Sequence, residues 1–185
     1  MNKTPAKAWQ EMVRGNDRFV TGKPLHPRQD VERREQLASF QAPAAALFGC
    51  SDSRLAAEII FDQGLGDLFV VRNAGQVVSE SVVASLEYAV AVLGVPLIVV
   101  LAHDSCGAVQ AAIDAQSEDA PPLPPHIANH IAPIGPAVQA VRRDDAPADV
   151  SEVGRVHLQN TVQGLVEASE LISDAIAEGR LAVVG

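Results

Sequence analysis

Two uninterrupted apolar runs constrain the fold of this chain most strongly, and each run ends at a side chain that metals prefer. The runs cover residues 44–49 and 97–102; the first leads into Cys50, and the second leads into His103 and, three residues later, Cys106. Continuous apolar runs of this length are typical of parallel strands buried on both faces. Because the carboxyl ends of parallel strands meet at one edge of a sheet, we expect these three side chains to lie close together.

Helical and strand patterns alternate along the rest of the chain. Two further apolar runs, 68–71 and 181–184, predict strands, and apolar residues at helical spacing predict the helices. The helical patterns lie at 9–20, 31–38, 56–61, 79–93, 108–115, 126–141 and 150–176. We therefore predict an α/β fold with a mostly parallel central sheet of about four strands flanked by helices. We expect a single domain, 1–185, with an N-terminal helical arm over 1–40 and an α/β core over 44–185.

Composition excludes several kinds of partner. The formal net charge is -9, so we expect no nucleic acid and no anionic membrane as partner, because phosphate groups are bound by basic surfaces. The longest apolar runs are well short of the roughly 20 residues that a membrane-spanning helix needs. The chain has only two cysteines, which excludes a disulfide framework. A cytoplasmic location is therefore expected, where both thiols are free to bind a metal.

Cys50, His103 and Cys106 together form a candidate metal site. A structural zinc ion normally takes four protein ligands, so three ligands favour a catalytic zinc with one open position. Cys106 is expected in the first turn at the start of the predicted helix 108–115, where the amide groups of the helix N-terminus are expected to lower the pKa of its thiol. The alternative interpretation is a pair of inert buried cysteines beside a hydrogen-bonded histidine.

Asp52 and Arg54 follow Cys50 in the same polar turn. An aspartate that accepts the proton of a zinc-bound water fixes the orientation of that water, and a neighbouring arginine keeps the aspartate ionised. An ordinary solvated ion pair is the alternative. The three potential zinc ligands nearby favour the catalytic interpretation of Asp52 and Arg54.

Two other patterns have weaker functional interpretations. Gly49 to Ser53 resembles a nucleophile elbow with Ser51 as nucleophile, but the last glycine of that motif is replaced by serine. An esterase is therefore the weakest of the alternatives. His126 and His130 have the i, i+4 spacing of helical metal ligands, but no glutamate follows His126. We expect these two histidines to be exposed to solvent.

Taken together, three segments resemble the β-class carbonic anhydrases, and the similarity runs from about Ala8 to the C-terminus. The segments are Cys50-Ser51-Asp52-Ser53-Arg54, Val71-Arg72-Asn73-Ala74-Gly75 and His103-Asp104-Ser105-Cys106-Gly107. The resemblance implies Zn²⁺ held by Cys50, His103 and Cys106, with Asp52 and Arg54 as the catalytic dyad. It also implies a homodimer or homotetramer with the active site near the subunit interface. Family members usually continue past the strand at 181–184, so this chain looks short at its C-terminus.

The activity implied by the resemblance is zinc-dependent, reversible hydration of CO₂ to bicarbonate and a proton through a zinc-bound hydroxide. One alternative keeps the site and changes the substrate to CS₂ or COS. Another is a non-catalytic, zinc-stabilised oligomeric module. The sequence leaves open whether water or Asp52 fills the fourth zinc position, and which residue passes the released proton to solvent.

Overall fold

A computed structural model describes residues 4–117, 119–142 and 148–185 of the protein. The four strands are β1 (Ala45–Cys50), β2 (Leu68–Asn73), β3 (Leu97–Leu101) and β4 (Ala182–Val184). They form one sheet in the order β2-β1-β3-β4, and every pairing is parallel. The predicted α/β fold with a parallel sheet of about four strands is therefore confirmed.

Helices connect the strands and cover both faces of the sheet. Those in the described residues are α1 (Pro5–Val20), α2 (Val31–Gln36), α3 (Ala57–Ile60), α4 (Glu80–Ala91), α5 (Gly107–Asp114), α6 (Pro125–Ile131), α7 (Gly135–Val141), α8 (Val150–Glu167) and α9 (Glu170–Ala177). None of these helices is long and apolar enough to cross a bilayer. The helices predicted from periodicity are present, and two of them are interrupted.

The central strand β1 is buried on both faces, which explains its uninterrupted apolar sequence. Ala46 and Phe48 belong to the core cluster that includes residues of α4, α8 and α9. Ala45 and Leu47, the alternate residues, belong to the cluster on the other face with residues of α1 and α3. Because successive strand residues point to opposite faces, both sets must be apolar.

The first interruption lies within the predicted helix 126–141. The chain forms α6, then a 3-10 turn over residues 132–134, and then α7. Pro133 and Pro136 lie at the starts of the 3-10 turn and of α7. Proline has no amide hydrogen and its ring clashes with the preceding turn, so a continuous α-helix cannot pass through these positions.

The second interruption divides the predicted helix 150–176 into α8 and α9. Ser169 ends the continuity because its side-chain oxygen accepts a hydrogen bond from the amide of Ile172, at 3.1 Å, and caps α9. The same hydroxyl donates to Glu87 Oε1 in α4 at 2.6 Å. This contact with Glu87 joins residues 82 positions apart, so helical periodicity does not reveal it.

Helix α1 packs against the sheet through a narrow face of three buried residues. Ala8, Met12 and Gly15 are buried, whereas Trp9 and Phe19 are 40% and 41% exposed. Gly15 lies so close to the loop after α3 that an added Cβ would be 1.8 Å from the Phe61 carbonyl oxygen. The face of α1 that touches the sheet is therefore narrower than the apolar pattern of the sequence suggests.

Asp62 fastens α1 and the segment that follows it to the loop after α3. Its carboxylate accepts hydrogen bonds from Arg18 Nε at 2.5 Å, from the Leu25 amide at 3.0 Å and from the His26 amide at 2.9 Å. Burial by itself would raise the pKa of Asp62, but these hydrogen bonds outweigh it and the net pKa is lowered. The ionised carboxylate is therefore the form that stabilises the fold.

We expect Asp62→Asn to lower the free energy of unfolding at neutral pH by about 1.5–3 kcal/mol, because charge-assisted hydrogen bonds are lost. A lowered native pKa contributes stability that is complete above the unfolded-state pKa of about 3.9 and is lost as the pH falls through the native value. Urea unfolding of both proteins at neutral and acidic pH checks this. A difference that grows on acidification would contradict the role given to Asp62.

Candidate functional site

The strand order creates a crevice at the carboxyl edge of the sheet. The chain leaves β1 for β2 on one side and later returns to place β3 on the other side of β1. Ligand sites in open parallel sheets lie at such a reversal of strand order. Cys50 ends β1, and His103 and Cys106 follow β3, so this crevice collects all three predicted metal ligands.

The structure brings the ligand atoms of Cys50, His103 and Cys106 within 4.8 Å of one another. The two Sγ atoms are 3.9 Å apart, and both cysteines are free thiols. Cys106 occupies the N-cap position of α5 but makes no side-chain capping bond. Its sulfur lies in the cluster, and the amides of Ala108 and Val109 at the start of α5 also approach it.

The imidazole of His103 is held in the tautomer that a metal ligand needs. Its Nδ1 lies 2.9 Å from the backbone oxygen of Asp104. A carbonyl oxygen can only accept, so Nδ1 carries the proton and Nε2 keeps a free lone pair. Nε2 is buried and has no hydrogen-bond partner among the described residues. An unpartnered buried nitrogen is costly, and a metal bound beside the two thiols would remove that cost.

The thiol of Cys106 corrects one prediction from the sequence. Burial raises the pKa of this thiol and outweighs the amides of Val109 and Ala108, which lower it. The expectation that the N-terminus of α5 leaves this pKa lowered is therefore wrong, because the sulfur lies in an apolar cluster with residues such as Val77 and Ile131. A cation at the cluster would favour the thiolate.

Asp52 and Arg54 form a tight pair beside the three predicted metal ligands. Asp52 Oδ1 accepts from the Arg54 amide and from its Nε, both at 2.9 Å, and Oδ2 accepts from Nη2 at 2.7 Å. The Arg54 guanidinium holds the pKa of Asp52 well below its usual range. Oδ2 lies 4.0 Å from His103 Nε2. The carboxylate is therefore ionised, and one of its oxygens faces the ligand cluster.

Arg72 supports this turn in a way that the sequence did not indicate. Its Nε donates to the Cys50 carbonyl at 2.8 Å, and its Nη2 donates to the Asp52 carbonyl at 2.5 Å. The two carbonyls belong to the residues on either side of Ser51. The parallel pairing of β1 with β2 brings Arg72 into reach, since Cys50 pairs with Asn73. Only the strand register, which sequence does not supply, could have identified this contact.

The two histidines of the 126–130 pair do not share one environment. His126 is exposed, as expected, but His130 is half-buried and its Nε2 lies 2.8 Å from the Ala74 carbonyl oxygen. The prediction that both are exposed is therefore wrong for His130. Neither residue belongs to the cluster of potential metal ligands found in the described residues.

The matching family profile and two similar curated proteins are all described as carbonic anhydrases. The family profile described as "Carbonic anhydrase" matches residues 45–185. The chain is 50% identical over 184 residues to carbonic anhydrase 2 of Mycobacterium tuberculosis, covering 100% of this chain and 88% of the relative. It is 47% identical over 184 residues to a carbonic anhydrase of Mycolicibacterium smegmatis, with the same coverage of both chains.

Solved structures agree with this at the level of the fold. A structure from work on two tetrameric β-carbonic anhydrases of the ascomycete Sordaria macrospora superimposes with a TM-score of 0.69 at 26% identity, covering 95% of this chain and 88% of that one. The β-carbonic anhydrase CcaA superimposes with a TM-score of 0.67 at 26% identity, covering 95% of this chain and 80% of that one. The chain therefore belongs to the β-class carbonic anhydrases.

Proposed function

We propose that the protein catalyses the reversible hydration of CO₂ to bicarbonate and a proton, with Zn²⁺ held by Cys50, His103 and Cys106. The observation that carries the proposal is the convergence of these three ligand atoms within 4.8 Å of one another beside an ionised Asp52. The membership in the carbonic anhydrase family supports the reaction, and the donor set supports the choice of metal.

The donor set fits zinc. Zn²⁺ is a borderline-soft ion that commonly takes cysteine sulfur and histidine nitrogen as ligands. Two thiolates and the neutral imidazole of His103 match that preference, and three protein ligands leave a position for substrate chemistry. Bound zinc supplies Lewis acidity, which lowers the pKa of a water molecule at the metal toward neutrality.

The protein's own part in the reaction falls to Asp52 and Arg54. Oδ2 of Asp52 faces the ligand cluster and can accept a hydrogen bond from the nucleophilic water, which turns a lone pair of that water toward CO₂. Arg54 keeps the carboxylate ionised and restricts its rotation through two side-chain hydrogen bonds. In this arrangement both carboxylate oxygens of Asp52 are bonded to Arg54, so Asp52 would not take the fourth position of a zinc ion held by the three cluster residues.

Zinc content and CO₂ hydration measured on one preparation test the proposal. We expect about one zinc ion per chain, loss of activity when a chelator removes it, and recovery when zinc is returned. Full activity in metal-free protein would contradict both the site and the mechanism. Metal-bound but inactive protein would contradict the reaction alone and support a non-catalytic, zinc-stabilised module.

The pH dependence follows from the donor set. Two thiolates would neutralise the charge of a bound zinc dication, which would make it a weaker Lewis acid than one held by three neutral imidazoles. Asp52 stays ionised far into the acid range, because the pair with Arg54 lowers its pKa, and it therefore adds no step near neutrality. We expect kcat/KM for CO₂ to rise on the alkaline side of neutral, as measured by stopped flow. A profile already on its plateau at mildly acidic pH would contradict this account.

We also propose that the chain acts as a homodimer or homotetramer in the cytoplasm. The solved enzymes of Sordaria macrospora are tetrameric, and the exposed Trp9 and Phe19 of α1 offer apolar surface for a subunit contact. The proposed site needs both thiols reduced, which fits a cytoplasmic location. Light scattering on the purified protein tests the assembly, and a monomer at micromolar concentration would contradict it.

A further inference from the structure

The amide of Gly75 is directed at one of the proposed metal ligands. Gly75 lies in the 73–77 loop, which begins at the last residue of β2, and its N–H donates to Cys50 Sγ at 3.2 Å. Its φ is +77°, and an added Cβ would lie 2.8 Å from Ala108 Cβ. Both the backbone conformation and the close approach to α5 therefore require glycine here.

Two histidines from distant helices hold the carbonyl groups on either side of this amide. His130 of α6 has its Nε2 2.8 Å from the Ala74 oxygen, and His157 of α8 has its Nε2 2.7 Å from the Gly75 oxygen. Because both partners are carbonyl oxygens, each Nε2 carries the proton and donates. His157 is 3% exposed, and burial lowers the pKa of its imidazole, so it donates as the neutral form.

The contact of His130 acts on the same peptide group that contacts the sulfur. The Ala74 carbonyl and the Gly75 N–H belong to one planar unit, and they point in opposite directions. A hydrogen bond to the carbonyl polarises the whole unit and strengthens the bond that its N–H donates. The path from His130 Nε2 to Cys50 Sγ therefore crosses a single peptide bond.

We propose that His130 and His157 are positioning residues that hold the 73–77 loop in place as a clamp. The loop held in this way keeps the Gly75 amide directed at the Cys50 thiolate. The hydrogen bond from that amide reduces the electron donation of the thiolate to the metal. The proposal rests on the metal site proposed above. An N–H···S bond draws charge from the sulfur, which leaves the metal more electrophilic. Partners outside the immediate ligands commonly affect metal sites in this way.

Cobalt substitution tests the clamp without relying on catalysis, because the energy of the sulfur-to-cobalt charge-transfer band reports how strongly the thiolates donate. We expect His130→Ala to move this band to longer wavelength and to reduce CO₂ hydration at neutral pH by about 10-fold. His130→Gln keeps a side-chain N–H and should restore the band. His126→Ala, one helical turn away and exposed, is the matched control and should leave both readouts unchanged.

His157→Gln provides a second variant from the other side of the loop, with a smaller expected shift because the amide side chain can still donate. An unchanged band in a folded, cobalt-loaded His130→Ala protein would overturn the clamp and leave the metal site intact. If the unaltered protein takes up no cobalt and no zinc, both proposals fail. A band shift in His126→Ala equal to that in His130→Ala would also overturn the clamp.

Discussion

Cys106→Ala will leave the protein folded, with almost no bound zinc and no measurable hydration of CO₂. Cys106 supplies one of the three proposed ligands, and two remaining ligands do not hold zinc in competition with water. We expect a rate loss larger than the 10- to 100-fold that removal of an outer-shell partner typically costs. Cys50→Ala and His103→Ala should give the same result.

The choice of Cys106 keeps this experiment interpretable. No capping hydrogen bond of its side chain to α5 is seen, and the amides of Ala108 and Val109 only approach the sulfur, so alanine removes little support from the helix. Gln110→Ala is a suitable control, because Gln110 lies one turn along α5 and its side-chain amide donates to Asp114, away from the cluster. Metal analysis and stopped-flow assays on both variants test whether Cys106 is a metal ligand. Wild-type zinc content in Cys106→Ala would remove this residue from the ligand set.

Asp52→Asn should separate catalysis from metal binding. The variant keeps the size of the side chain and leaves the three ligands in place, so zinc content should remain near that of the unaltered protein. We expect the hydration rate to fall by about 10²–10⁴-fold, the range in which a positioned acid–base group contributes. The amide of asparagine carries no charge and can donate toward the cluster where the carboxylate only accepts.

Asp114→Asn is the matched control for this substitution. Asp114 lies exposed at the end of α5 and accepts a hydrogen bond from Gln110, away from the ligand cluster. It undergoes the same chemical change without touching the site, so its rate should remain normal. If Asp52→Asn hydrates CO₂ at the normal rate with its zinc in place, the assignment of Asp52 and Arg54 as a catalytic dyad is wrong.

The architecture was largely accessible from the sequence because parallel strands leave a strong signal. Residues 44–49 and 97–102 are apolar throughout, since β1 and β3 are covered on both faces, and β1 and β3 lie within one residue of these predictions. The break before α9 was missed because the apolar periodicity continues through Ser169, although the bond from the Ile172 amide that caps α9 is local; the bond from Ser169 to Glu87 has no local signal. The division into an arm over 1–40 and a core over 44–185 stays a prediction.

The candidate site likewise contains residues that the sequence predicts and supporting contacts that it does not. Cys50, Asp52 and Arg54 lie within five residues, and His103 follows a recognisable strand, so their proximity follows from simple rules of sheet geometry. The supporting contacts have no such local signal. Arg72 reaches the Cys50 carbonyl through strand register, and His157 reaches Gly75 across 82 positions. Such contacts arise from packing, which pattern and spacing do not encode.

The parallel pairing of β1 with β3 also ties the metal to the folding of the whole chain. Cys50 and Cys106 are 56 positions apart, and only the pairing that sets Ala46 against Ile98 brings their sulfurs together. The unfolded chain therefore offers no assembled site, so we expect the proposed zinc to bind the native state in preference to the unfolded chain. Mass action then adds about 2.7 kcal/mol of stability when free zinc is 100 times its dissociation constant. With the proposed zinc bound, we therefore expect a chelator to lower the free energy of unfolding as well as to inhibit the reaction.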